Sequence, residues 1–178
     1  FLLADMITVE TRLSRIQERL SKGAKSDERQ LLHDDQVLFE RLQHALSEGV
    51  PLRDLELTAA ELAGLRGYSL LTLKPTLVLL NLSDEPRDPQ EILTYQHQAT
   101  RVLAIQGHLE MELSQLTLDE AAIFMEEFGI AELALDRVIR ASYGLVGLHS
   151  FFTVGEDEVR AWNLPLGATA LDAAAAVH

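Results

Sequence analysis

Apolar residues at Leu2, Met6, Val9, Leu13, Ile16 and Leu20 recur at alternating steps of four and three, with mostly polar positions between them. A seam that advances 3.5 residues per step is the signature of one helix packing along another. Gly23, after Lys22, ends it. A second helix is expected from about Asp27 to Glu48. Leu31, Leu38, Leu42 and Ala45 continue the spacing, Asp35 interrupts it, and Gly49 and Pro51 close it. Two such helices joined by a short polar turn predict an antiparallel hairpin. Thr58-Ala59-Ala60-Glu61 predicts a capped helix start, and the helix should end near Gly64 or Gly67.

The periodicity then changes. After Lys74-Pro75, the run Thr76-Leu77-Val78-Leu79-Leu80 is apolar without alternation, as in a parallel strand covered on both faces. Asn81-Leu82-Ser83-Asp84 follows where such a strand would end, and the carboxyl ends of parallel strands are where α/β folds take ligands. A crossover helix is expected from about Pro89 to Arg101 and a second buried strand from Val102 to Ile105, followed by Gln106-Gly107-His108. Thr117-Leu118-Asp119-Glu120 opens another helix reaching Phe128, and Asp136 to Tyr143 makes one more. Phe151–Val154 and Val159–Leu164 flank the turn Gly155-Glu156-Asp157-Glu158 as a β-hairpin, and the alanine-rich end is helical. Two parallel strands do not make a stable sheet alone. With Phe1 at the start and no stop signal at the end, the chain reads as a piece of a longer protein.

Composition narrows the functional classes. With 178 residues, 47% hydrophobic and 24% charged, the chain has ordinary globular composition. Its net charge of −13 counts against broad, charge-driven contact with nucleic acid, although Arg15, Arg19, Lys22, Lys25 and Arg29 cluster at the hairpin tip. The absence of cysteine removes disulfides, thiolate metal sites and cysteine nucleophiles, and fits a cytoplasmic location. No apolar run is long enough to span a membrane, and no secretory signal follows Phe1. The histidines form no metal-binding spacing, and no catalytic triad can be assembled. His33-Asp34-Asp35 reads as a solvated polar face, and Trp162 as a core residue of the hairpin rather than a base-stacking platform.

Several stretches together resemble one family. They are Glu56-Leu57-Thr58, Leu70 to Pro75, Asn81 to Asp84, Leu135 to Tyr143, Ser150 to Gly155 and Glu158 to Trp162. In this order they resemble the YchF, or Obg-like, ATPase family of P-loop GTPases, and the last two stretches are the most specific. The resemblance implies an α/β fold: part of a P-loop NTPase-type parallel sheet, with an antiparallel coiled-coil hairpin and the start of a β-grasp module called TGS. It divides the chain into a hairpin (1–57), the carboxyl-terminal part of a nucleotide-binding domain (58–148) and a partial TGS module (149–178).

The resemblance further implies a purine-nucleotide protein, using GTP or ATP with Mg²⁺ and associated with the ribosome, RNA or translation. It places Asn81, Leu82 and Asp84 at the base, with Gln106 and Gly107 in the loop that packs against it. A carboxylate at Asp84 can accept from both N1–H and the 2-amino group of guanine, a pair adenine lacks. Relatives carry Glu there, Ser-Ala-Lys where this chain has Gln106-Gly107-His108, and basic residues where it has Pro165, Leu166 and Thr169. No Gly-x-x-x-x-Gly-Lys-Ser/Thr loop occurs, so no catalytic or metal-binding residue is assigned. The intact parent is expected to hydrolyse nucleotide and this chain alone is not. The alternative reading is a non-catalytic interaction module that binds no nucleotide.

Overall fold

The computed structural model describes residues 1–23, 25–83 and 87–177. It forms two compact units, one made of Phe1–Pro75 with His97–Ala99, the other of Thr76–Gln96 with the residues from Thr100 onward.

The first unit is built on α1 (Leu2–Ser21) and α2 (Ser26–Ser47). The helices run antiparallel: Arg12 pairs with Asp35, Arg19 with Glu28, and Gln43 reaches Glu10. The seam of α1 is as its spacing predicts, with Val9, Leu13 and Ile16 buried and Leu2, Met6 and Leu20 packed at its edges. The seam of α2 runs through the expected Leu38, Leu42 and Ala45 but takes Leu32 in place of Leu31. Leu31 is 68% exposed, while Phe39, Leu42, Ala45 and Leu46 are buried and Leu32 packs against them. A helix turns 100° per residue, so a one-residue error in phase moves a side chain to another face. Asp35 breaks the apolar spacing because it takes the guanidinium of Arg12, which also lies over the rings of Phe39 and Tyr68.

Short 3₁₀ turns at Leu52–Asp54 and Arg66–Tyr68 flank α3 (Ala59–Leu65). Thr58 and Glu61 exchange both bonds of the predicted capping box. One anchor had no sequence signal. Asp5, 2% exposed on α1, accepts from the backbone N–H groups of Leu71 and Thr72 (2.8 and 2.7 Å) and from the Thr72 hydroxyl (2.6 Å). It thereby ties α1 to a segment more than sixty residues away.

The second unit contains β1 (Thr76–Asn81) and β2 (Thr100–Ile105), parallel and in register from Thr76 opposite Thr100 to Asn81 opposite Ile105. Both strands are half-buried rather than covered on both faces, and Leu79 is exposed. α7 (Ala134–Val146) packs on both strands. The expected crossover helix from Pro89 to Arg101 is only α4, Pro89–Ile92. The backbone turns extended at Leu93, and His97 and Gln98 are held by Asp54 in the first unit. Those bonds fix a non-helical path that local sequence does not reveal, and Ala99 adopts a positive φ of 46°.

α5 (Gly107–Leu113) follows β2, and α6 (Leu118–Glu127) starts on the capping box of Thr117 and Glu120. Gly147, in the left-handed region at φ 65°, ends α7 and turns the chain into β3 (Leu148–Val154). An L side chain would be strained there. β3 pairs antiparallel with β4 (Val159–Pro165), and α8 (Ala170–Val177) follows. Trp162 faces Phe151 across the hairpin, and its ring N–H donates to the Thr153 hydroxyl at 2.9 Å.

Candidate functional site

Parallel strands in register bring their carboxyl ends to one place, so Asn81 and Ile105 end side by side. The loops after them are joined directly. The backbone N–H of Leu82 donates to the carbonyl of Ile105 at 2.8 Å. The backbone N–H of Gly107 donates to the side-chain oxygen of Asn81 at 3.0 Å. Gln106 precedes α5 and its side-chain amide reaches the Ser83 carbonyl at 3.4 Å. Of the residues singled out from sequence, Asn81, Leu82, Gln106 and Gly107 therefore share one corner of the fold. Asp84 lies outside the described residues.

The Asn81–Gly107 contact is as close as it is because residue 107 has no side chain. A Cβ on Gly107 would stand 2.9 Å from the Asn81 side-chain oxygen. Replacing the glycine pushes the Asn81 carboxamide from its place.

Beside this corner is a cavity of about 250 Å³ lined by residues that include Leu82, Arg87, Gln106, Glu110, Glu132 and Arg137. Arg87, Glu110, Glu132 and Arg137 were not assigned a role from sequence. Glu110, half-buried on α5, accepts from the backbone N–H of Ala134 at 2.8 Å. Arg137, in the first turns of α7, donates to the Ala104 carbonyl at 3.0 Å. Arg137 lies inside a stretch that resembles the family, which was a usable signal. Glu110 had none, because its partner is a backbone N–H 24 residues away. Glu132 is paired with Arg140 at 2.8 Å. The walls therefore mix apolar surface with both signs of charge. Among the described residues, no group of three or more His, Asp or Glu side chains could hold a metal ion, and no helix is long and apolar enough to cross a membrane. Asp34 and Asp35 are engaged by Gln30 and Arg12.

These features define a mixed α/β protein with a ligand-sized corner at the carboxyl ends of a parallel strand pair. Comparison with known proteins gives the family it resembles. Residues 148–178 match the model of the YchF-GTPase C-terminal family, described as "Protein of unknown function (DUF933)". Over 99% of its length the chain is 36% identical to "Ribosome-binding ATPase YchF" of Escherichia coli O157:H7 and 36% identical to the protein of that name from Bacillus subtilis (strain 168). It covers 48% and 49% of those proteins. It also superposes on the structure of the Schizosaccharomyces pombe YchF GTPase with a TM-score of 0.80 at 25% identity, over 99% of this chain and 49% of that one. The chain resembles the YchF family along nearly its whole length, and it spans about half the length of the curated relatives it matches.

Proposed function

We propose that these 178 residues are the base-recognising side of a YchF-type nucleotide-binding protein, a purine-nucleotide ATPase or GTPase associated with the ribosome. The observation that carries this reading is the Asn81–Gly107 hydrogen bond across the ends of two parallel strands. It holds the two loops that the resemblance assigns to the base in a single rigid corner. Asn81 braces the pocket, Leu82 lines it through its backbone, and Gln106 and Gly107 close it with a side small enough for a base to approach. Asp84 supplies the carboxylate that reads the base edge. The relatives' printed names, ribosome-binding ATPase and GTPase, support the nucleotide and the ribosome as partners. The same reading makes residues 1–57 a coiled-coil hairpin, 58–148 the carboxyl-terminal part of a P-loop NTPase-type domain and 149–178 the start of a TGS module, in a cytoplasmic protein.

Phosphate and Mg²⁺ chemistry is not supplied by these residues. The sequence holds no Gly-x-x-x-x-Gly-Lys-Ser/Thr loop, and phosphoryl transfer depends on such a loop to position the phosphates and the metal. The nucleotide, with its Mg²⁺, is therefore a ligand of the protein encoded by the whole reading frame that contains this chain.

The test is a titration of ATP and GTP into that protein and its Asp84→Ala variant. Asp is one methylene shorter than the Glu of relatives, which draws the carboxylate back by about 1.5 Å. Asp is also the length with which ordinary GTPases reach guanine. With Leu82 and Gln106 in place of lysine-bearing loops, discrimination between GTP and ATP of about tenfold or less is expected, and it should diminish in the variant. Unchanged affinities for both nucleotides in Asp84→Ala would remove Asp84 from the site.

A further inference from the structure

The corner at Asn81 and Gly107 is not held by that bond alone. α5 is only seven residues long, and a helix so short has little stability of its own. Its placement depends on ties to the rest of the fold. At its start, Gly107 donates to Asn81 of β1. At its far end, Leu113 is buried. Between them Glu110 accepts from the N–H of Ala134, the first residue of α7. α7 is itself anchored on β2 where Arg137 reaches the Ala104 carbonyl, two residues before Gln106. The bonds Asn81–Gly107, Glu110–Ala134 and Arg137–Ala104, with the β1–β2 ladder, close a ring through four elements. The cavity beside Leu82 and Gln106 is lined by Glu110 and Arg137 from this ring.

The Glu110 bond has a specific physical reason. The residue before α7 is Leu133, which has no side-chain acceptor, and no side-chain cap bond is made from that position. The first N–H groups of a helix need acceptors from elsewhere, and a carboxylate there is also favoured by the helix dipole. Glu110 supplies that acceptor from α5. Capping α7 and placing α5 are thus one interaction.

We propose that Glu110 is a positioning residue for purine binding: through Ala134 it holds α5, and with it Gln106 and Gly107, against the base. This rests on the base-site reading given above. It touches the base only through those neighbours, so its loss should weaken recognition of the base and leave recognition of the phosphates unchanged.

The experiment measures affinities of ATP, GTP and inorganic tripolyphosphate for the protein encoded by the whole reading frame, in Glu110→Ala, Glu110→Gln and Asn81→Ala variants. Thermal unfolding midpoints are recorded alongside. Glu110→Ala is expected to lose about tenfold in ATP and GTP affinity with tripolyphosphate binding unchanged. Glu110→Gln keeps the acceptor oxygen and should stay within about threefold of the parent. Equal losses for nucleotide and tripolyphosphate, or no rescue by glutamine, would overturn the proposal. Unchanged nucleotide affinity in Glu110→Ala with a loss in Asn81→Ala overturns this inference alone. Unchanged affinity in Asn81→Ala overturns the base-site reading on which it rests.

Discussion

Asp5 and Gly107 show how single residues bear on the fold and on the site. Asp5 looks like a polar residue on a solvated helix, yet its carboxylate satisfies two backbone N–H groups and one hydroxyl in a buried setting. Removing a buried acceptor leaves its donors without partners, and that desolvation cost exceeds the net worth of the bonds themselves. Asp5→Ala is expected to destabilise the chain by about 3 kcal/mol in chemical denaturation. A change below about 0.5 kcal/mol would mean the segment at Leu71 and Thr72 is held by other contacts. Gly107 acts on the site instead. Gly107→Ala places a methyl 2.9 Å from the Asn81 oxygen. Because that side chain can swing aside, stability should change little while nucleotide affinity in the whole-frame protein falls. A variant that binds ATP and GTP as the parent does would show that the Asn81 orientation is not used.

Elements were legible where a local rule sets them, and obscure where a distant bond does. The segment His97–Ala99 is the instructive case. Burial by itself would raise the Asp54 carboxyl, but the hydrogen bond with His97 and the backbone N–H of Gln98 outweigh it and hold the group below the usual carboxylate range. A lowered folded-state value means that this stabilisation is present above the ordinary carboxylate range and is lost as pH falls through the lowered value. The protection factor of the Gln98 amide, its exchange measured against the intrinsic rate at the same pH, should therefore fall as the medium is acidified below pH ~4. In Asp54→Ala, which removes the acceptor, that protection should be lost at every pH. Protection that persists unchanged in Asp54→Ala would contradict this.

The same bonds explain why the expected helix to Arg101 stops at Ile92, since nothing in the local sequence identifies Asp54 as the partner of His97. By contrast, the capping boxes at Thr58 and Thr117, the α1 seam and the β3–β4 hairpin follow from spacing and turn residues that act within a few positions. The α2 seam departs from its spacing only in its first turns, where Leu32 packs in place of Leu31, because Asp35, paired with Arg12, interrupts the apolar repeat ahead of Leu38. At the site, the strand ends and the Asn81–Gly107 corner were readable. Glu110 was not, because its role exists only once α7 is placed beside α5.

At the scale of the whole molecule, the 178 residues join the loops after β1 and β2 in one corner and hold no phosphate-binding loop motif, and they span about half the length of the relatives they match. The chain on its own is expected to hydrolyse neither ATP nor GTP above background. Turnover that Asn81→Ala abolishes would contradict that expectation. The central claim is that the loops after β1 and β2 meet a purine base. The most direct measurement follows the amide NMR signals of the whole-frame protein during titration with ATP and GTP. The account predicts shifts concentrated at Leu82, Gln106 and Gly107, saturating with the nucleotide affinity, while Val9 and Phe39 in the hairpin core stay in place. Saturating nucleotide that leaves the Leu82 and Gly107 signals unmoved would contradict it.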